Sequence, residues 1–146
     1  MPSCYLDSNL LVYFKDETSP NHQQAKNLIN KLVLNNYSIY ISSLVIDELL
    51  YVLSFLLKEN NKDVNLKEEL GSVLKDILDI PGLDIINPPN TKKAQIKVIN
   101  LIFKYSLQPR DAYHLLTMIE NKISYLSTFD TDFDRVFAEK KAKKFK

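Results

Sequence analysis

The chain of 146 residues is poor in glycine, cysteine and histidine, and each scarcity excludes a class of chemistry. Two glycines, Gly71 and Gly82, cannot write a phosphate loop, a G-x-G-x-x-G turn or a G-x-S-x-G elbow. One cysteine, Cys4, excludes an intramolecular disulfide and any cysteine-rich zinc or iron–sulfur site; it reads as a small buried hydrophobe. The two histidines, His22 and His114, lie far apart and form no H-E-x-x-H. Charge of one sign is also missing. Nineteen Lys plus Arg against 18 Asp plus Glu exclude a histone-like polycation or an acidic tail protein, though not a local basic patch. The most apolar run, residues 49–57, is about half of what a bilayer crossing needs and is broken by Ser54. Met1-Pro2-Ser3 lacks the basic start and apolar stretch of a secretory signal. A soluble, cytoplasmic domain with no membrane partner is the expectation.

What is present is a packed globular composition, 45% hydrophobic and 25% charged. The length suits a single domain over residues 1–146 and is too short for two cores. Short apolar runs alternate with long amphipathic ones. Residues 4–6 read as a strand, and Ser8 or Asn9 is placed to cap the following helix. Pro20 opens a second helix with Ala25, Leu28, Ile29, Leu32 and Val33 at spacings of three and four. Residues 37–43 read as a strand, 43–58 as a very apolar helix with Val45, Leu49, Val52 and Leu56 on one face, and 60–65 as a loop. A helix over 66–80, a strand over 83–86, helices over 91–107 and 109–122, and a strand over 123–129 follow. A basic tail from about residue 138 ends the chain. Strands that are apolar throughout and separated by helices predict an α/β fold, three layers in α/β/α order around a parallel sheet of four to five strands. Ligands of such sheets gather where strands end and helices begin.

Acids fall at those ends. Asp7 follows the first strand. Asp130 follows the strand over 123–129, with Asp132 and Asp134 at alternate positions after it. Glu48 lies in the first turns of the helix starting at Ser43, and Asp111 in the first turn of the helix opened by Pro109. Glu48 interrupts Leu44, Val45, Ile46, Leu49 and Leu50, so it is set to be buried, and a buried carboxylate needs a partner or a metal. Carboxylates that converge without lysine or arginine raise one another's pKa unless a cation neutralises them. Oxygen ligands, with sulfur and imidazole absent, favour Mg²⁺ or Mn²⁺ over Zn²⁺. Such an ion orients a water and stabilises charge on a phosphate, so metal-dependent phosphodiester hydrolysis is the predicted reaction class. Singly, each acid has a plainer role. Asp111 and Asp130 suit helix capping, Asp132 and Asp134 suit a solvated loop, and one of Asp47 and Glu48 faces water.

Four segments carry a family resemblance. Tyr5-Leu6-Asp7-Ser8-Asn9-Leu10-Leu11, Ser42-Ser43-Leu44-Val45-Ile46-Asp47-Glu48-Leu49, Pro109-Arg110-Asp111-Ala112-Tyr113-His114-Leu115-Leu116 and Leu126-Ser127-Thr128-Phe129-Asp130-Thr131-Asp132-Phe133 occur in the order of the four acidic motifs of PIN-domain nucleases. Within that family the chain resembles the VapC-type toxins of toxin–antitoxin pairs. The resemblance implies a Mg²⁺- or Mn²⁺-dependent endoribonuclease in which Asp7, Glu48, Asp111 and Asp130 are catalytic and bind the metal together with Asp132. Asn9, Thr128 and Asp134 become supporting polar groups. RNA is then the substrate and an antitoxin protein the candidate partner. The alternatives are a catalytically degenerate PIN-like module that only binds RNA or protein, and a flap-cleaving DNA nuclease, for whose clamp the chain is too short. Many relatives end in a further apolar strand, whereas this chain ends in lysines, which leaves the fifth strand open. The region 55–80 is also long.

The remaining polar residues read more plainly. Lysines 140, 141, 143, 144 and 146 suit either an RNA backbone or a frayed, solvated terminus. Arg110 suits a surface ion pair better than a scissile phosphate, and His114 a helix-surface or packed ring better than a cleft residue. Ser8 lacks a histidine to make it a nucleophile. The apolar faces over 44–57 and 66–78 exceed what one small domain hides, so a homodimer and a groove for an antitoxin peptide are expected.

Overall fold

In the computed structural model, which describes residues 1–61 and 63–146, the alternation of apolar runs becomes β1 (Ser3–Leu6), α1 (Ser8–Lys15), α2 (His22–Leu34), β2 (Ser38–Ile41) and α3 (Ser43–Asn60), then α4 (Leu66–Leu78), β3 (Leu83–Ile85), α5 (Lys92–Tyr105), α6 (Pro109–Glu120), β4 (Tyr125–Ser127), α7 (Asp134–Ala138) and β5 (Lys143–Lys144). A 3-10 turn over Thr131–Phe133 leads into α7. The five strands form one sheet in the order β3-β2-β1-β4-β5, and every pairing is parallel. This is the predicted α/β architecture. Buried residues come from the strands and from the inner faces of the helices. Cys4, Tyr5 and Leu6 of β1 are fully buried, as are Ile39, Ile41 and Leu126 on the flanking strands.

Local chemistry explains where elements start. Ser42, Asn65 and Thr91 each accept the backbone N–H of the third residue of α3, α4 and α5, satisfying donors that a helix leaves open. Pro109 sits at the first position of α6, where its missing N–H costs nothing. Gly82 turns the chain into β3 at φ +81°, and a Cβ there would lie 2.9 Å from the Tyr37 carbonyl oxygen.

Several boundaries differ from those expected of the sequence. Asp7, not Ser8 or Asn9, caps α1: it holds extended φ/ψ, and its side chain accepts the Ser8 N–H. The second helix starts at His22, after a turn that contains Pro20. β4 stops at Ser127, and the N–H groups that follow go to side chains, Phe129 to Asn9 Oδ1 and Asp130 to the Thr128 hydroxyl. On α3 the buried face is Val45, Leu49 and Leu53, while Val52 is exposed. A fifth strand exists in spite of the lysines. β5 pairs with β4, and Ala142 and Phe145 on either side of it are buried.

The strand order sets the position of the site. From β1 the chain steps outward to β2 and β3, then returns to place β4 on the other side of β1. The sheet therefore has its switch point between β1 and β4, where crevices form at the carboxyl ends of strands.

Candidate active site

Asp7 stands at that switch point. Its N–H donates to the Ser127 carbonyl at 3.0 Å, which continues the β1–β4 ladder by one residue and aims the carboxylate past the strand ends. The carboxylate is 5% exposed. Its Oδ1 accepts the Ser8 N–H at 2.7 Å, and its Oδ2 accepts the Thr128 hydroxyl at 2.7 Å and the Asn9 amide at 3.4 Å. Asn9 Oδ1 in turn accepts the Phe129 N–H at 3.2 Å, and the Thr128 hydroxyl accepts the Asp130 N–H at 2.9 Å. Asn9 and Thr128 thus tie the start of α1 to the loop after β4. Burial raises the Asp7 pKa above the usual carboxylate range, and Glu48 adds to the rise; His114 and the hydrogen bonds oppose it.

The structure arranges the acids as two groups. Asp7 and Glu48 form one, with His114: one ligand atom from each lies within 4.8 Å of the others. Asp111, Asp130 and Asp132 form the second, to the same measure. The groups are neighbours, since the Thr128 hydroxyl bonds both the Asp7 carboxylate and the Asp130 N–H. Burial and then repulsion from Asp7, followed by Asp130 and Asp132, push the Asp111 carboxyl up to about 6 against the pull of His114. Asp130 repulsion is the first cause of the raised Asp132 pKa, although Asp132 is exposed and its N–H donates to Asp130 Oδ1 at 3.0 Å. Asp134 is exposed at the start of α7 and joins neither group. Asp47 faces solvent, whereas the Glu48 side chain is 14% exposed.

His114 corrects the expectation of a site free of imidazole. It is 1% exposed, because α6 turns this position inward three residues after Asp111. Its Nε2 lies 2.5 Å from Glu48 Oε1, and its Nδ1 lies 2.7 Å from the Tyr5 hydroxyl, which is 2.6 Å from Ser42 Oγ. Ser42 Oγ accepts the Val45 N–H at 3.2 Å. A carboxylate only accepts, so Nε2 carries a proton; in the neutral ring Nδ1 then accepts from Tyr5, and Tyr5 accepts from Ser42. Every donor in this buried chain has an acceptor, and one oxygen of Glu48 is committed to it. The other, Oε2, accepts the Ser8 hydroxyl at 3.3 Å and lies 3.9 Å from Arg110 Nη1, whose side chain is 57% exposed. That contact is the surface ion pair expected of Arg110, too long and too open to neutralise the group. Sequence reasoning missed Tyr5 and Ser42. A period-two reading would have put Tyr5 on the same side of β1 as Asp7.

Whether the donors suit a metal follows from what remains uncommitted. Both His114 nitrogens are taken, so the free donors are carboxylate oxygens, the set that hard divalent cations prefer.

The PIN domain family model matches residues 4–138. No curated protein matches the sequence. Among solved structures, VapBC2 from Rickettsia felis bound to a DNA fragment from its promoter superposes with a TM-score of 0.64 at 24% identity, over 91% of this chain and 92% of that one. The sarcin–ricin loop cleaving toxin VapC20 from Mycobacterium tuberculosis gives 0.62 at 15% identity, over 92% and 95%. FitAcB from Neisseria gonorrhoeae gives 0.60 at 17% identity, over 98% and 96%. These likenesses establish a shared fold. The family match spans nearly the whole chain and all four acidic segments, and the chain belongs to the PIN-domain family.

Proposed function

We propose that the protein is a Mg²⁺- or Mn²⁺-dependent endoribonuclease and the toxin of a VapBC-type pair, with an antitoxin protein as its partner. One observation carries the reading: five carboxylates, from Asp7, Glu48, Asp111, Asp130 and Asp132, gather at the switch point. Among the described residues, no lysine forms an ion pair with any of them, and the contacts from basic side chains, exposed Arg110 and His114, reach Glu48 alone. Such repulsion persists in a folded chain when a cation is meant to relieve it. Two of the structural neighbours, a toxin that cleaves the sarcin–ricin loop and a VapBC assembly on promoter DNA, motivate the assignment of substrate and partner; those activities are properties of the neighbours.

On this reading Asp7, Glu48, Asp111 and Asp130 hold the cation, and Asp132 is a further ligand. A divalent ion bound there supplies activation of water and neutralisation of phosphate charge. The chain's own groups do the positioning. Asn9 and Thr128 fix the Asp7 carboxylate, and His114 holds one Glu48 oxygen so that the other faces the pocket. Asp134, outside both groups, is left out of the ligand set.

A homodimer belongs to the same proposal. Tyr51 and Phe55 on α3, and Ile96, Ile99 and Phe103 on α5, are 56–78% exposed, apolar surface of the kind that partners cover.

The decisive experiment is Asp7→Asn. Mn²⁺-dependent RNA cleavage should fall by about a hundredfold or more, as expected on losing a ligand worth several kcal/mol. Asn still caps a helix and removes a buried charge while giving up one acceptor, so the metal-free variant should stay folded, with a melting point close to that of the wild type. Cleavage at the wild-type rate by this variant would remove the assignment.

A further inference from the structure

A band of lysines beside the acidic edge has no part in that chemistry. Three clefts follow one another along β5. The first, about 350 Å³, opens beside Thr128 and Phe129 and is also lined by Lys144 and Lys146. Thr128 is the residue whose hydroxyl bonds Asp7, so this cleft starts at the acidic edge. The second, about 400 Å³, shares Lys144 and Lys146 with the first and adds Lys140 and Lys143. The third, about 330 Å³, shares Lys140 and Lys143 with the second and reaches Lys141 and Lys122, beyond the far end of α6. No carboxylate side chain lines any of the three. Among the described residues, none of these six lysines is in an ion pair.

The track is held by the fold. Ala142 and Phe145 are buried, and Phe145 packs edge-on against Tyr37 and Tyr125 with ring centroids 5.3 and 6.2 Å apart. Lys31 Nζ donates to the Lys146 carbonyl at 2.6 Å. Between these anchors Lys143 and Lys144 project to opposite sides of β5, which is why one lines the second and third clefts and the other the first and second. The N–H groups of Lys143 and Phe145 donate to the Ser124 and Leu126 carbonyls, so the Lys144 N–H between them points away from β4.

Six ammonium groups without carboxylate partners, in a chain of net charge +1, are a segregated charge. We propose that this track carries the RNA strand to the acidic edge, binding successive phosphates by charge and leaving the bases unread. The proposal rests on the nuclease reading and specifies how its substrate is held. The acids repel a polyanion, so a strand that must lie across them needs attraction alongside; phosphate neutralisation by lysine supplies it independently of sequence. Lysines on an edge strand also prevent sheet-to-sheet association, and an acidic polypeptide is a second class of polyanion. The experiment separates these.

Binding of an oligouridylate of about 20 nucleotides to the wild-type chain in EDTA is measured by anisotropy from about 50 to about 300 mM KCl. The comparison is the triple variant Lys141→Gln, Lys143→Gln, Lys144→Gln, with its fold checked by circular dichroism. The slope of log K against log salt should become shallower by about 2, at roughly 0.7 per phosphate contact on a single strand. An unchanged slope in a folded variant overturns the proposal. So does a variant that associates but keeps the slope, which assigns the lysines to edge protection. Loss of polyglutamate binding with RNA binding intact overturns it in favour of an acidic protein. Failure of the nuclease reading shows separately, as a wild-type chain that leaves RNA intact in Mn²⁺.

Discussion

At the scale of single residues, the site depends on groups that never face the pocket. Tyr5 holds His114 Nδ1 through its hydroxyl and so orients the ring whose Nε2–H donates to Glu48. Tyr5→Phe removes that hydroxyl with little change of shape. Two buried partners, Ser42 and His114, lose a bond, so stability should fall by about 1–3 kcal/mol in a denaturant titration. The ring then keeps its Nε2–H on Glu48 but loses the anchor at Nδ1 that orients it, and Mn²⁺ affinity should drop by about 10–100-fold, as for other outer partners of metal ligands. Unaltered Mn²⁺ affinity would show that the buried chain is packing alone. Asp111 gives a pH signature. Its carboxyl sits at about 6 in the folded chain against 3.8 for an unperturbed aspartate, so between those values the folded state binds more protons than the unfolded one. Stability of the metal-free protein therefore declines as pH rises through that window. The Asp111→Asn variant should show less of that decline; melting curves of the two proteins that ran parallel from about pH 4 to about pH 7 would contradict the assignment. Glu48 was legible in the sequence because an acid inside an apolar stretch needs a reason. His114 was not, since one histidine on a helix carries no sign of what lies across from it.

At the scale of elements, the two glycines behave oppositely. Gly71 lies within α4, and a Cβ there meets nothing within 4 Å. Gly71→Ala should raise stability by about 0.5–1 kcal/mol through helix propensity and a less flexible unfolded chain. Gly82 holds positive φ against the Tyr37 carbonyl, so Gly82→Ala should lower stability by about 1–2 kcal/mol or more. Chemical denaturation of both variants tests the pair, and equal effects would refute the account. Helices and central strands were readable because period 3.6 and short apolar runs are local signals. The helix start at Ser8 and the end of β4 were displaced, since side-chain bonds from Asp7, Asn9 and Thr128 decide them. β5 was unreadable by composition: its lysines face water, and only Ala142 and Phe145 betray the inward side.

At the scale of the molecule, apolar surface remains on the outside. Ile96, Ile99 and Phe103 recur along α5 at spacings of three and four, forming one exposed stripe. If a second copy covers it, light scattering at micromolar concentration reports a dimer, and Phe103→Glu returns the mass to that of the monomer. A wild-type monomer under those conditions would exclude this interface. The sequence placed the excess apolar surface on the helices over 44–57 and 66–78, and α4 instead exposes chiefly Leu78. α3 packs against α4 and covers much of that face. By itself the sequence determined an all-parallel α/β chain with carboxylates at the ends of its strands, because the alternation of apolar periods and the residue after each strand are written locally. The tertiary structure alone decided that the acids divide into two neighbouring groups, that a buried imidazole anchors one of them, and that lysines line an ordered edge beside them. Those contacts join residues such as Asp7 and Thr128, 121 positions apart. Only packing brings such residues within a bond's length.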